Sequence, residues 1–362
     1  MIHYLQSAAA VVLTFGMVIF LHESGHFFVC RWLGVRVEQF AFGFGPELVG
    51  MTGRQGTRYS IRALPLGGYV KPAGEEMEEG VVPAPDMYFG QNWKRRLAIV
   101  AAGPIMNYVL AFTLFTIVTY AKGIPEAGTA PVIGNMMLGY PADRAGIGLD
   151  DTIVDVNGQK IRTWDQAADA IHRYPEKEIS ITYEHAGQAK TVKVTPRKDE
   201  TTGNGVIGIM PKEVYRAVGF GGAASEGARQ CWALTAFTVK TIASKLSHHE
   251  RPDLAGPVGI VQMVSRAAHS GWDNLVSLIG LISVAIGFFN ILPVPLLDGG
   301  HAAMYVWEGV AGHPPTKETV ARAQNVGIAF LLSLLLFATY NDVLRLRSEH
   351  STPKPPAEQP AH

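Results

Sequence analysis

The stretch Val11-Val12-Leu13-Thr14-Phe15-Gly16-Met17-Val18-Ile19-Phe20-Leu21 runs directly into His22-Glu23-Ser24-Gly25-His26 and then Phe27-Phe28-Val29. Read from Leu5 to Val29, it is an apolar segment of the length a membrane-crossing helix requires. On such a helix His22 and His26 lie one turn apart on one face, so both imidazoles can reach one metal ion. Glu23 lies beside them. A metal lowers the pKa of a bound water towards neutrality, and an adjacent carboxylate can take its proton as the oxygen attacks a carbonyl, so these residue types at this spacing suit peptide hydrolysis. HExxH alone is a weak signal, but three ionisable side chains in an apolar run cost on the order of a few kcal/mol each unless they are paired or used.

Working outward, the chain of 362 residues is 48% hydrophobic and 17% charged, and its mean hydropathy is +0.13, a composition tilted away from a purely soluble protein. Its 31 basic and 31 acidic residues cancel, and no long basic run with interleaved aromatics calls for a nucleic-acid partner. The two cysteines, Cys30 and Cys231, lie far apart and show no metal-type spacing. They are expected to be reduced, catalytically inert thiols. The opening segment has neither a basic start nor a small-residue cleavage site, so it is expected to be retained as a span.

Further apolar stretches at Leu97 to Ala121, Leu275 to Leu297 and Val326 to Tyr340 bring the expected spans to about four. The pattern predicts a polytopic α-helical membrane protein. Residues 1–123 hold the first two spans and, between them, a β-loop with alternating segments at Val35 to Phe40 and Arg58 to Arg62. Residues 124–213 read as an α+β module, with strands at Thr152–Val156, Ile179–Tyr183 and Thr191–Val194 and a helix at Trp164–Ile171. Residues 214–272 mix Arg229, Lys240, Lys245 and Arg266 with apolar positions, as a segment lying on a membrane surface does. Residues 273–345 hold the last two spans, and 346–362 read as a disordered tail. Basic residues cluster between the first two spans (Arg31, Arg36, Arg54, Arg58, Arg62, Lys71, Lys94, Arg95, Arg96), which predicts a cytoplasmic loop and an extracytoplasmic module.

Zinc needs a third protein ligand while keeping a position open. Asp298 fits, in Asn290-Ile291-Leu292-Pro293-Val294-Pro295-Leu296-Leu297-Asp298-Gly299-Gly300-His301 at the carboxyl end of the third stretch. The first and third spans run in the same direction, so His22, His26 and Asp298 can meet near the cytoplasmic face. His301 competes for the role, and spacing does not separate the two. The lesser alternative for Asp298 is a helix-ending Asp-Gly turn. Pro293 and Pro295 predict a broken helix, tolerated at membrane depth where it lines a water-containing cavity. Asn290 could bond substrate backbone or an oxyanion, or make an interhelical bond.

These motifs, together with Gly43-Phe44-Gly45-Pro46, Leu66-Gly67-Gly68-Tyr69-Val70-Lys71, Gly103-Pro104-Ile105-Met106-Asn107 and Gly256-Pro257-Val258-Gly259-Ile260, resemble the bacterial site-2 protease family, in particular its regulator-of-sigma-E-type members. The resemblance implies Zn2+ held by His22, His26 and Asp298, with Glu23 as general base and Asn290 and Pro293 in the substrate-handling part of the third helix. It also implies a membrane-reentrant β-loop around Tyr59 to Tyr69, whose strand edge could pair with an unwound substrate. Tyr140 to Ile147 and Asp151 to Gly158 resemble one PDZ domain, where the best-studied Gram-negative relatives carry two.

The function this implies is intramembrane zinc-dependent proteolysis of single-span transmembrane proteins or remnant signal peptides, anti-sigma factors among them, in the bacterial inner membrane. A metal or proton transporter is a second reading, which leaves the PDZ-like module and the HExxH spacing unexplained. A non-catalytic peptide-binding scaffold is a third, and Glu23 argues against it.

Overall fold

A computed structural model describes residues 2–75, 82–200, 202–248 and 256–351. They form two compact units, one of residues 1–119 with 220–362 and one of residues 120–219.

In the first unit, α1 (Ile2–Trp32) is followed by a hairpin of β1 (Val37–Thr52) and β2 (Arg58–Pro72), and then by α2 (Trp93–Lys122). The hairpin folds back on itself. Phe40 pairs with Val70 on one side and with Tyr59 on the other, while Met51 also pairs with Tyr59. Two strands thus make four strand segments of one sheet in the order 49–52, 58–61, 39–42, 68–71, the two outer pairings antiparallel and the central one, Phe40 to Tyr59 through Phe42 to Ile61, in parallel register. The fold-over needs glycine: Gly43 has φ +90°, and at Gly67 (φ +130°) a Cβ would lie 2.1 Å from the Phe44 ring. The sheet docks on α1 through aromatic edges, with Phe40 5.5 Å from Phe20 and 5.3 Å from Phe27 between ring centroids.

The second unit holds β3 (Ile124–Ala127), β4 (Ile133–Met136), α3 (Pro141–Arg144), β5 (Thr152–Val156), β6 (Gln159–Lys160), α4 (Trp164–His172), β7 (Ile179–His185), β8 (Gln188–Val194), β9 (Arg197–Lys198), β10 (Gly205–Val206), β11 (Ile209–Pro211) and β12 (Glu213–Arg216). An antiparallel sheet in the order β6-β5-β7-β8 covers a core of Ile133, Ile147, Ile153, Ile179, Ile181 and Ile207. The alternation along Ile179, Ile181 and Tyr183 buries one face, and α4 closes over it with Ala167, Ala170 and Ile171. The unit extends past the boundary expected at 213, because β12 pairs with β3 and brings the two ends of the unit together.

The chain then re-enters the first unit as α5 (Phe220–Ser247), α6 (Pro257–Ser270), α7 (Trp272–Ile291), α8 (Asp298–Ala311) and α9 (Lys317–Ser351). Residues 220–247, part of the segment 214–272 expected on a membrane surface, form a helix that runs alongside α2: a Cβ at Gly227 would touch Thr116, Cys231 packs with Ala111 and Phe115, and the Tyr108 and Thr235 hydroxyls meet at 3.0 Å. Val18, Leu110, Val264, Ile279 and Ile282 join α1, α2, α6 and α7 in one core. Asp342 of α9 accepts the N–H groups of Gly256 and Gly259 at 3.0 and 2.9 Å, satisfying the free amides that begin α6.

Among the described residues, four helices are long and apolar enough to cross a membrane: His3–Trp32, Trp93–Lys122, Trp272–Ile291 and Glu318–Leu344. The last is longer than the expected Val326 to Tyr340. Its helix also continues to Ser351, into the first residues assigned to a disordered tail, because Leu344 to Arg347 are good helix formers. Residues 352–362 of that tail lie outside the described residues.

Candidate metal centre

α1 presents three faces to three neighbours. Phe20, Glu23 and Phe27 meet the β1–β2 sheet, and Val18 enters the helical core. His22, Gly25 and His26 turn to α2, where Gly25 has no room for a side chain: its Cβ would lie 2.3 Å from the Ala102 carbonyl oxygen. On α2, a Cβ at Gly103 would stand 2.3 Å from His26 Nε2 and 2.8 Å from His22 Cε1. Glycines on both helices therefore let the backbones close around the two imidazoles.

The third group comes from a broken helix. α7 ends at Ile291, with Leu292 extended (φ −63°, ψ 142°) ahead of Pro293, as the residue before a proline is constrained to be. Leu296 takes φ +79°, a left-handed conformation unusual for a bulky residue. Asp298 then opens α8. This corrects its expected place at the carboxyl end of the third stretch and removes the reading as a helix-ending turn: the prolines stop α7 a turn early, and Asp298 starts the next helix with its carboxylate at the positive end of the helix dipole. Gly299 and Gly300 leave room for the break to pack beneath them, since Cβ atoms there would lie 2.2 Å from the Ile291 and Leu292 oxygens and 2.4 Å from that of Val294.

His22, His26 and Asp298 converge, the one group of three or more metal-ligating side chains among the described residues. The two Nε2 atoms are 3.3 Å apart, and Asp298 Oδ2 lies 3.1 Å from His22 Nε2 and 3.6 Å from His26 Nε2. Tetrahedral ligands about 2.0–2.1 Å from one ion stand on the order of 3.3 Å from each other. Asp298 Oδ2 is also buried without a hydrogen-bond partner among the described residues. His26 Nδ1 lies 2.8 Å from the Ile99 carbonyl, which can only accept, so the proton sits on Nδ1 and Nε2 turns a bare lone pair to the centre. Three N and O donors of this chemistry fit a divalent cation such as zinc. His301 is not part of the group; its Nδ1 lies 3.2 Å from the Leu297 carbonyl.

Glu23 Oε2 accepts the Val70 N–H at 3.1 Å. Asn290 is half-buried in the last turn of α7, and Pro293 is exposed in the break. Neither belongs to the converging group. What the sequence motifs do not assign is the contribution of α2: the Ile99 carbonyl, the bare Gly103 and the fully buried Asn107, whose amide lies 3.3 Å from His22 Nδ1. The signals of it in the sequence are the motif Gly103 to Asn107 and an asparagine in an apolar span, neither of which gives a role.

The Peptidase family M50 model matches residues 10–334. This chain belongs to peptidase family M50. A protein of Clostridium acetobutylicum is 34% identical over 338 residues, covering 92% of this chain and 96% of its own, and one of Agrobacterium fabrum is 33% identical over 365 residues, covering 92% and 95%. Both are provisionally named zinc metalloproteases. As an M50 peptidase the protein is a zinc metallopeptidase carrying membrane-spanning helices. The solved PDZ domain of an SdrC-like protein of Listeria innocua matches 23% of this M50 chain and 92% of its own at 20% identity, with a TM-score of 0.21.

Proposed function

We propose that this peptidase cleaves single-span membrane proteins or remnant signal peptides within or beside the bilayer, as a step of regulated intramembrane proteolysis. The observation that carries this is the convergence of His22, His26 and Asp298 beside Glu23, on helices long and apolar enough to span. His22, His26 and Asp298 hold the ion. Zinc, when bound, supplies Lewis acidity that acidifies water and polarises the scissile carbonyl. Glu23 takes the proton of the attacking water and returns it to the leaving amine, with the Val70 N–H orienting its carboxylate.

A peptide bond inside a helix is shielded, so the substrate must be unwound. The strand at 68–71 is an edge of the sheet beside Glu23, and strand addition there would present an extended segment to the site. Asn290 and Pro293, at the end of α7 and in the break after it, are suited to handle that segment. Basic residues between the first two spans favour an inner-membrane topology with the site near the cytoplasmic face and the PDZ-like unit extracytoplasmic. Anti-sigma factors are one substrate class of this kind.

The test is cleavage of a single-span substrate in vesicles by wild type, Glu23→Gln and chelator-treated wild type. Cleavage within the membrane segment by untreated wild type alone supports the proposal. Equal cleavage by all three overturns it.

A further inference from the structure

Ile99, Gly103 and Asn107 follow one another at four-residue intervals along α2 and so form one stripe facing α1. The first supplies the acceptor for His26 Nδ1, and the second leaves space for both imidazoles. Asn107 completes the stripe at His22. Its residue exposure is 0%, its side-chain amide is 3.3 Å from His22 Nδ1, and its Oδ1 has no hydrogen-bond partner among the described residues.

We infer that Asn107 is a positioning residue for the metal centre, its Oδ1 accepting the Nδ1–H of His22 and so fixing the imidazole tautomer whose Nε2 faces the ion. The inference rests on the reading of His22 as a zinc ligand. An imidazole that binds a metal through Nε2 carries its proton on Nδ1 and needs an acceptor there. With Nδ2 towards Nδ1, the amide would instead require Nδ1 to accept, placing the imidazole proton on Nε2 against the ion. An amide turned by 180° fills the same space, so the orphaned oxygen can take this role without repacking. The turn leaves the NH2 group where the oxygen stood. The ion, through His22, therefore decides which way the amide points.

The surroundings hold the side chain in place. Ser283 Oγ of α7 donates to the Asn107 carbonyl at 2.9 Å, and a Cβ at Gly287 would lie 3.2 Å from Asn107 Cβ, so α7 presses on α2 at this residue. Each ligand imidazole thus has its acceptor on α2, a backbone carbonyl for His26 and a side-chain amide for His22. Of these two acceptors, the amide is the one a substitution can remove.

The test uses full-length protein in detergent, with the zinc dissociation constant measured by competition against a chromophoric chelator. Wild type is compared with Asn107→Asp, Asn107→Leu, Asn107→Ala and His22→Phe, and the melting temperature of each metal-stripped form reports folding. Leu is near Asn in size and Ala is smaller, so at least one acceptor-free variant is free of crowding. Expected is zinc binding weakened about 10- to 100-fold in the Leu and Ala variants, with Asn107→Asp within a few-fold of wild type and stripped forms melting alike. Unchanged affinity in Leu and Ala, with binding lost in His22→Phe, overturns the inference and leaves the metal site standing. Equal loss in Asp, Leu and Ala also overturns it, because an acceptor would then not suffice. Intact binding in His22→Phe overturns the ligand reading, and the inference with it.

Discussion

Glu23 Oε2 receives the backbone N–H of Val70 at 3.1 Å, joining the HExxH carboxylate to the edge strand of the folded-over sheet. A backbone amide cannot rotate away, so it is a stiffer tether than a side chain.

Val70→Pro removes that donor, at the cost of some of the side chain's packing on the cluster around Val35 and Val37. The N–H of Val70 points to Glu23 and out of the ladder, and an edge strand tolerates proline there. The expected result is unchanged zinc content with kcat on a single-span substrate reduced on the order of tenfold, a fraction of what a general base contributes. Wild-type kcat would show that the tether plays no part.

Gly103→Ala drives a methyl group into both imidazoles, at 2.3 Å from His26 Nε2. Zinc content and cleavage are expected to fall together by roughly tenfold or more. Gly221→Ala on α5, where a Cβ meets nothing within 4 Å, is the control and should leave both unchanged.

Arg96 of α2 pairs with Glu308 of α8 at 2.5 Å, with side-chain exposures of 7% and 17%, and lies 4.7 Å from the centroid of the Tyr305 ring. Tyr88 donates to the Tyr305 hydroxyl at 2.9 Å alongside. The pair anchors the far end of the helix that Asp298 begins. Arg96→Met or Glu308→Gln alone is expected to cost about 3–5 kcal/mol by stranding a buried charge. The double variant Arg96→Met/Glu308→Leu should recover much of that loss in thermal melts.

Leu296→Gly relieves the left-handed backbone two residues before Asp298. That conformation costs a non-glycine residue about 1–2 kcal/mol, and the packing given up by Leu296, which is 38% exposed, offsets part of the gain. A small rise in melting temperature is expected, with zinc content unchanged. A fall would mean that the leucine side chain holds the break.

Those parts of the site whose chemistry is local in the chain are legible in the sequence. HExxH declares its geometry through helical spacing, and Pro293 with Pro295 require α7 to break. Where the chain goes after a break depends on packing, so the sequence places Asp298 at the end of one helix when it begins another. The β-loop is legible as strands, but its double pairing is not, because one residue meeting two partners follows from the fold-over at Gly43 and Gly67. Residues 220–247 read as a surface segment because their charges lower the mean hydropathy, while the small residues Gly227 and Cys231 that seat the helix against α2 carry little weight in such an average. The Ile99 carbonyl has no signature in sequence at all, since every residue has one.

Gly25 and Gly103 let α1 and α2 approach until the Ile99 carbonyl and the Asn107 amide touch the rings of His26 and His22. The centre is consequently a proximity gauge between two membrane helices. Both ligand rings depend on the same close approach, so a substitution that forces α1 and α2 apart is expected to loosen the anchoring of His22 and His26 together.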